Sequence, residues 1–291
     1  MRSAIDWRRN PLGFAILLGP PLLWFLVFFA APMAIVLAYS FGDNVGVADI
    51  EISGTFANYA RTMEPLYLGI LGKSVLFAAL ATLICLLVGF PVALAISFAP
   101  PKWKSWLLIG VMLPFWTNLL IRTYALIAIL RDEGVINSVL EVLFGWAGFE
   151  PLRMMNTNTA VMIGLVYVHL PFMVLPLYAA LDKLDRSLIE AALDLGAGHV
   201  RAVLTVVVPL AGAGIASGLL LTFIPVLGSY LTPDLLGGPD SLMIANVIER
   251  QFKRANDWPF GAALAFLLMY LTFLGMMFQG LWKRRRPAGA E

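Results

Sequence analysis

Long uncharged runs alternate with short charged segments along this chain. The runs extend from Asn10 to Gly42, Ser74 to Pro101, Ser105 to Leu130, Met154 to Leu181, Ala202 to Pro233 and Trp258 to Trp282. Only Arg122 interrupts the third. Each run exceeds the roughly 20 apolar residues a helix needs to cross about 30 Å of hydrocarbon. The pattern predicts six spanning helices at 12–42, 74–100, 105–130, 156–181, 203–232 and 258–282. A transmembrane β-barrel would need alternating segments of about ten residues, and none appear. The first run follows Arg8 and Arg9 but is far longer than the 7–15 residues of a signal-peptide core. It is therefore expected to remain as a span. The connection Pro100–Lys104 is a tight turn, whereas 182–202 is a longer, charged and patterned loop.

Composition fixes the solvent. Of 291 residues, 60% are hydrophobic and 13% charged, against about 25% charged in an average globular domain. Mean hydropathy is +0.85. The expectation is an all-α polytopic membrane protein forming a single transmembrane domain over 1–291. The net charge of +2 matters less than its distribution. With the N-terminus inside, the inner segments carry Arg2, Arg8, Arg9, Lys102, Lys104, Lys183, Arg186, Arg201 and Lys283, Arg284, Arg285 and Arg286. Their acids are Asp6, Asp182, Asp185, Glu190, Asp194 and Glu291, and the outer segments are net acidic. Basic residues are retained on the cytoplasmic side, so both termini are expected there.

Within the 182–202 loop, Leu181, Leu184, Leu188, Ala192 and Leu195 recur at helical spacing. Asp182 and Arg186 are four apart, as are Glu190 and Asp194. Gly196 and Gly198 end the predicted helix, because glycine tolerates the left-handed turn that closes helices. Such an amphipathic helix–turn–helix either lies on the inner leaflet or its own bundle, or docks into a partner's groove.

Glu190-Ala191-Ala192, three residues, Gly196, nine residues, then Val206-x-Val208-Pro209 resembles the EAA loop of ABC importer permeases. Val206 and Val208 replace the usual Ile and Leu, a mild departure. Further segments resemble polyamine permeases, specifically B-type subunits of the spermidine/putrescine family. These are 118–124, Gly134-Val135-Ile136-Asn137, 165–178, Leu236-Gly237-Gly238-Pro239-Asp240, Asn246-Val247-Ile248 and 257–261, and the resemblance covers most of residues 10–282. It implies a type I ABC importer permease fold in a bacterial inner membrane. It also implies a second permease subunit, an ATPase dimer and a periplasmic substrate-binding protein. ATP is then hydrolysed by the partner ATPase, and this chain binds no cofactor of its own. Glu190, Ala191, Ala192, Asp194 and Gly196 become the ATPase-coupling residues, with Gly196 setting the angle between two short helices.

A polyamine is a flexible polycation, which carboxylates and aromatic faces attract. Asp234, Asp240, Glu249 and Asp257 fall in the last outer loop near Tyr230 and Trp258. The candidate substrate path is Tyr230, Asp234, Asp240, Glu249 and Trp258. Against this, outer loops are acidic simply because basic residues stay inside. Arg122 lies within a span, where charge is costly, and is expected to pair with an acid or helix-end carbonyls or to snorkel outward. His169 is expected to be a hydrogen-bonded core residue. Pro171 and Pro176 are expected to kink the fourth span, and Gly214-x-x-x-Gly218 to permit close helix packing.

Catalytic chemistry is not expected. Gly72-Lys73-Ser74 resembles the end of a phosphate-binding loop, but Tyr67 stands where that motif needs glycine. No nucleophile elbow or metalloprotease helix occurs. Cys85, His169 and His199 are too few and too scattered for a transition-metal cluster, and one cysteine forms no intrachain disulfide. The bilayer and a small-molecule substrate are expected partners, and nucleic acid is not. Two alternatives remain open: an ABC permease for iron, thiamine or sulfate, and a stand-alone secondary transporter. The latter normally needs an acid deep in a span, and none of the six runs has one.

Overall fold

The structure is a computed structural model describing residues 11–46, 49–147 and 150–285, with side-chain surroundings given from Phe14 to Met277. Arg2, Asp6, Arg8, Arg9 and Glu291, and the side chains of the Lys283–Arg286 cluster, lie outside that description. The described chain is helical apart from one antiparallel hairpin, β1 (Asp43–Gly46) with β2 (Asp49–Glu51). It divides into two compact units, one of Pro65–Val247 and one built from the segments up to Glu64 and from Ile248 onward.

The Pro65–Val247 unit is organised around three helices: α4 (Pro65–Phe98), α8 (Asn158–Leu181) and α12 (Gly212–Leu227). Small residues let them approach. A Cβ on Gly218 would lie 2.7 Å from Met173 Sδ, and one on Gly214 would lie 2.9 Å from the Pro176 carbonyl. The glycine pair is therefore a packing surface, as its spacing predicts. Cys85, Ala93 and Ile96 of α4 meet Met173, Val174, Leu177 and Leu181 of α8 in one buried cluster. Helix α8 runs through Pro171 and Pro176 as a single 24-residue element.

Two expected spans are broken. The third consists of α5 (Pro101–Trp116) and α6 (Leu119–Leu130), the latter followed by α7 (Val135–Phe144), with a 95° bend after Trp116. Thr117 and Asn118 are extended at the break, and the Asn118 side chain accepts a 2.8 Å hydrogen bond from Leu120 N. An asparagine cap satisfies a helix-end donor that a continuous helix would not have exposed. The fifth span likewise bends by 73° around Ala211, between the His199–Leu210 stretch, which ends in α11 (Val208–Leu210), and α12. Among the described residues, four helices are long and apolar enough to cross a membrane, and six if each bent pair counts as one span. Helix α4 begins at Pro65, before the predicted start of the second span.

In the other unit, α15 (Trp258–Arg285) packs against α2 (Ala31–Tyr39) and α3 (Ala57–Thr62). Upstream of α2, α1 (Pro11–Phe25) continues through a π-helical turn at Leu26–Ala30. The stretch Phe14–Tyr39 has a mean hydropathy of 2.3, and none of its apolar window is buried.

Candidate coupling loop and substrate segment

The loop after α8 differs from its predicted form. Its helix, α9 (Ser187–Asp194), starts at Ser187 rather than Leu181. Asp185 stops the backward extension, because its carboxylate accepts the Ser187 backbone N–H at 3.0 Å. That bond holds the Asp185 carboxyl below its ordinary pKa. The predicted stripe from Leu181 to Leu195 is thus divided between elements. Leu181 is buried at the end of α8, while Leu184 and Ile189 pack against the bundle cluster. Leu188 and Leu195 face outward, with Leu195 89% exposed.

The loop's charged residues reach other helices. Asp182 binds Lys104 of α5. This hydrogen bond lowers the Asp182 pKa. The Arg186 guanidinium donates to the Ser97 carbonyl at 3.1 Å and stands 5.0 Å from the Phe98 ring centroid. These ties connect the loop to the ends of two other helices. Nothing in a one-dimensional pattern signals them, because Ser97 lies 89 positions from Arg186.

Of the coupling residues, Glu190, Ala191 and Asp194 are exposed, while Ala192 is half-buried on the inward side of α9. Gly196 has φ +84°, and the Ala197 N–H reaches the Ala192 carbonyl across the turn. The next helix, α10 (His199–Ala202), follows after Gly198. Helix–turn–helix is therefore the observed geometry, with a left-handed glycine at its corner. An apolar groove of about 380 Å³ runs beside it, lined by Phe98, Leu193, His199 and Val203 among others.

The candidate substrate residues fall in both units. Tyr230, Asp234 and Asp240 belong to the Pro65–Val247 unit, on or beside α13 (Leu231–Leu236) and a 3-10 turn at Pro239–Ser241. Tyr230 is 41% exposed, and its carbonyl accepts from Asn246 Nδ2 at 2.7 Å. Glu249, on α14 (Ile244–Arg250), and Trp258 belong to the other unit. Glu249 pairs with Lys253 at 3.1 Å. Trp258 packs edge-on against Phe252, 5.5 Å between ring centroids. Asp257 forms a 2.7 Å ion pair with Arg61, which also lies 3.9 Å from the Phe260 ring centroid. Asp257 thus has a structural role inside its own unit.

Within the helices, His169 Nδ1 donates to the Leu165 carbonyl at 2.8 Å, as expected of a core histidine. Arg122 departs from its expected pairing. It is 8% exposed and stands 5.8 Å from the Phe115 ring centroid. Its Nε and Nη1 have no hydrogen-bond partner among the described residues, so no acid or helix-end carbonyl there engages either atom. No cluster of three metal-ligating side chains occurs among the described residues.

The comparisons with known proteins agree on family. Residues 11–286 match the family model described as binding-protein-dependent transport system inner membrane component. The spermidine/putrescine transport system permease protein PotB of Escherichia coli K12 is 40% identical over 265 residues, 90% of this chain and 94% of that one. PotB of Haemophilus influenzae is 42% identical, covering 86% and 87% of the two chains. The inner membrane ABC transporter permease protein YdcU of Escherichia coli K12 is 32% identical, covering 95% and 91%. In fold, the chain resembles a bacterial ABC transporter involved in import of the acidic polysaccharide alginate. The TM-score is 0.77 at 19% identity, over 97% of this chain and 98% of that one. With its apolar spans, its bent helix pairs and this match over nearly all its length, the chain belongs to the inner membrane components of binding-protein-dependent transport systems and is a multi-pass ABC permease.

Proposed function

We propose that this permease is one subunit of an ATP-driven importer for polyamines, with spermidine and putrescine the preferred substrate class. Identity of 40% with PotB over 90% of the chain supports the substrate. The likeness to the alginate transporter, at 19% identity, carries only the fold. Both termini lie in the cytoplasm, as the basic residues of the inner loops direct. A second permease subunit completes the pathway, a periplasmic protein delivers substrate, and an ATPase dimer hydrolyses ATP. This chain binds no cofactor itself.

One observation carries the docking assignment. The α9–Gly196–α10 corner is held to the bundle through Ile189, with Ala192 and Leu193 half-buried, yet it presents Leu195 and Val200 at 89% and 74% exposure. Exposed large apolar residues beside Glu190 and Asp194 suit a protein groove with basic residues at its rim. Glu190 supplies charge to that partner, Ala191 permits close approach, and Ala192 seats the helix. Tyr230, Asp234, Asp240, Glu249 and Trp258 provide carboxylate and aromatic surface along the cation's route. The ATPase cycle then biases inward- and outward-facing states of the bundle.

The test is uptake of radiolabelled spermidine and putrescine into proteoliposomes holding the complete transporter. ATP-dependent uptake of either, lost in an assembled Glu190→Lys complex, is the expected result. Uptake unaffected by Glu190→Lys would remove the coupling role, and absence of polyamine uptake would remove the substrate.

A further inference from the structure

Helix α4 contacts the coupling loop without being joined to it in sequence. The loop's two flanks, α8 and α10, move with it through covalent continuity. Any displacement of α4 must instead pass through non-covalent ties. At the loop end, Arg186 donates to the Ser97 carbonyl at 3.1 Å and covers the Phe98 ring at 5.0 Å. A guanidinium satisfied both by a helix-end carbonyl and by a π-face is held in one place more firmly than either bond alone would hold it. The cluster around Ala93 and Ile96 reinforces the tie by receiving Leu184 and Ile189 from the loop.

The far end of α4 is tied as specifically. Ser74 Oγ accepts the Ile244 backbone N–H at 2.7 Å while donating to the Ile70 carbonyl at 2.7 Å. Ser74 is fully buried. Two residues beyond Ile244, the Asn246 side chain accepts from Met243 N at 3.1 Å and donates to the Tyr230 carbonyl at 2.7 Å. Asn246 is 1% exposed, so both of these bonds are shielded from competing water. Between Ser74 and Ser97, α4 is an unbroken helix about 35 Å long at 1.5 Å per residue.

We propose that α4 is a transmission rod whose two ends are fixed by Arg186 and Ser74, so that movement of the coupling loop resets the position of Tyr230. Arg186, Ser74 and Asn246 are positioning residues: none needs to touch substrate or ATPase. The inference rests on the reading of the loop as the ATPase dock. Arg186 pulls or releases the Ser97–Phe98 end as the dock moves. The Ser74–Ile244 bond carries that displacement to the start of α14, and Asn246 passes it to the Tyr230 backbone. A continuous chain of hydrogen bonds suggests a route, but coupling between its ends is what has to be measured.

The experiment measures spermidine transported per ATP hydrolysed by the complete transporter in proteoliposomes. The variants are Arg186→Ala, Arg186→Lys, Ser74→Ala and the Arg186→Ala/Ser74→Ala double, with Glu190→Lys as the reference for docking. Each alanine variant is expected to keep ATP hydrolysis while lowering the ratio roughly threefold to tenfold. Arg186→Lys, which retains a donor and a cation, should recover most of the loss. The double variant should be no worse than the weaker single, because two breaks in one rod are not additive. If Ser74→Ala prevents assembly, Phe98→Leu tests the other end by removing only the ring beneath Arg186. An unchanged ratio in the Arg186 and Ser74 variants, or losses that multiply in the double, would overturn the rod. Uncoupling by Glu190→Lys alone would leave the dock intact and discard the rod. A normal Glu190→Lys complex with an uncoupled Arg186→Ala would remove Glu190 from the dock and leave the rod standing.

Discussion

Gly196 illustrates how much one residue's backbone decides. At φ +84° it occupies a conformation that costs an L-residue about 1–2 kcal/mol, and an added Cβ would meet nothing within 4 Å. The penalty for substitution is therefore purely torsional. Gly196→Val should distort the corner and lower transport per ATP, while Gly196→Asn, which tolerates the left-handed region, should be milder. Uptake and hydrolysis measured together on both variants check this ordering, and equal effects would contradict it. Asp182 acts through charge instead. The Lys104 hydrogen bond depresses its pKa, so the bond contributes above the unfolded value of about 3.9 and is lost as pH falls through the lower folded value. Wild type and Asp182→Asn should thus differ in thermal midpoint at pH 7, with the difference starting to shrink near about pH 4 and vanishing only below the lower folded value. Because the pair is partly solvated, the difference at pH 7 should be small.

Among the elements, packing and capping set where helices bend. The 95° turn after Trp116 is stabilised by the Asn118 cap, and Asn118→Ala should cost about 1 kcal/mol. A shift of the complex's unfolding midpoint in detergent would register it, and an unchanged midpoint would show that neighbouring helices fix the bend unaided. The α8–α12 pair depends on Gly218, where a side chain would collide with Met173. Gly218→Val should destabilise by roughly 1–3 kcal/mol, the usual cost of overpacking. Met173→Ala in the same chain should restore part of the loss, since the obstructing sulfur is gone. Failure of that rescue would mean that the backbone contact, at 3.4 Å to the Met173 carbonyl, is the real limit.

At the level of the whole molecule, the proposed orientation rests on the distribution of charge, and solvent access can check it. Cys85 is buried and is the chain's one cysteine, so a membrane-impermeant maleimide should have little background. Introduced cysteines at Leu195, 89% exposed, and Phe56, 71% exposed, report the two sides. Leu195→Cys should react from the cytoplasm and Phe56→Cys from the outside. The reverse pattern would invert the topology and remove the ATPase-docking role from the 182–202 loop. In the fully assembled transporter, bound ATPase should shield Leu195→Cys while leaving Phe56→Cys reactive.

The sequence by itself determined the membrane solvent, the approximate spans, the close-packing glycines and the glycine-cornered loop. Each depends on composition or short-range periodicity, which burial in lipid and local backbone sterics impose directly on residue types. It did not reveal the sharp bends after Trp116 and at Ala211, because apolar composition continues through both. Nor did it reveal the loop's partners: Asp182 and Arg186 have helical spacing, yet one binds Lys104 and the other Ser97. Those choices arise from helices distant in sequence reaching the same place, as do the Ser74–Ile244 bond and the Arg61–Asp257 pair. Only tertiary structure distinguishes an acid engaged by a neighbour from one presented outward, since the two look identical along the chain.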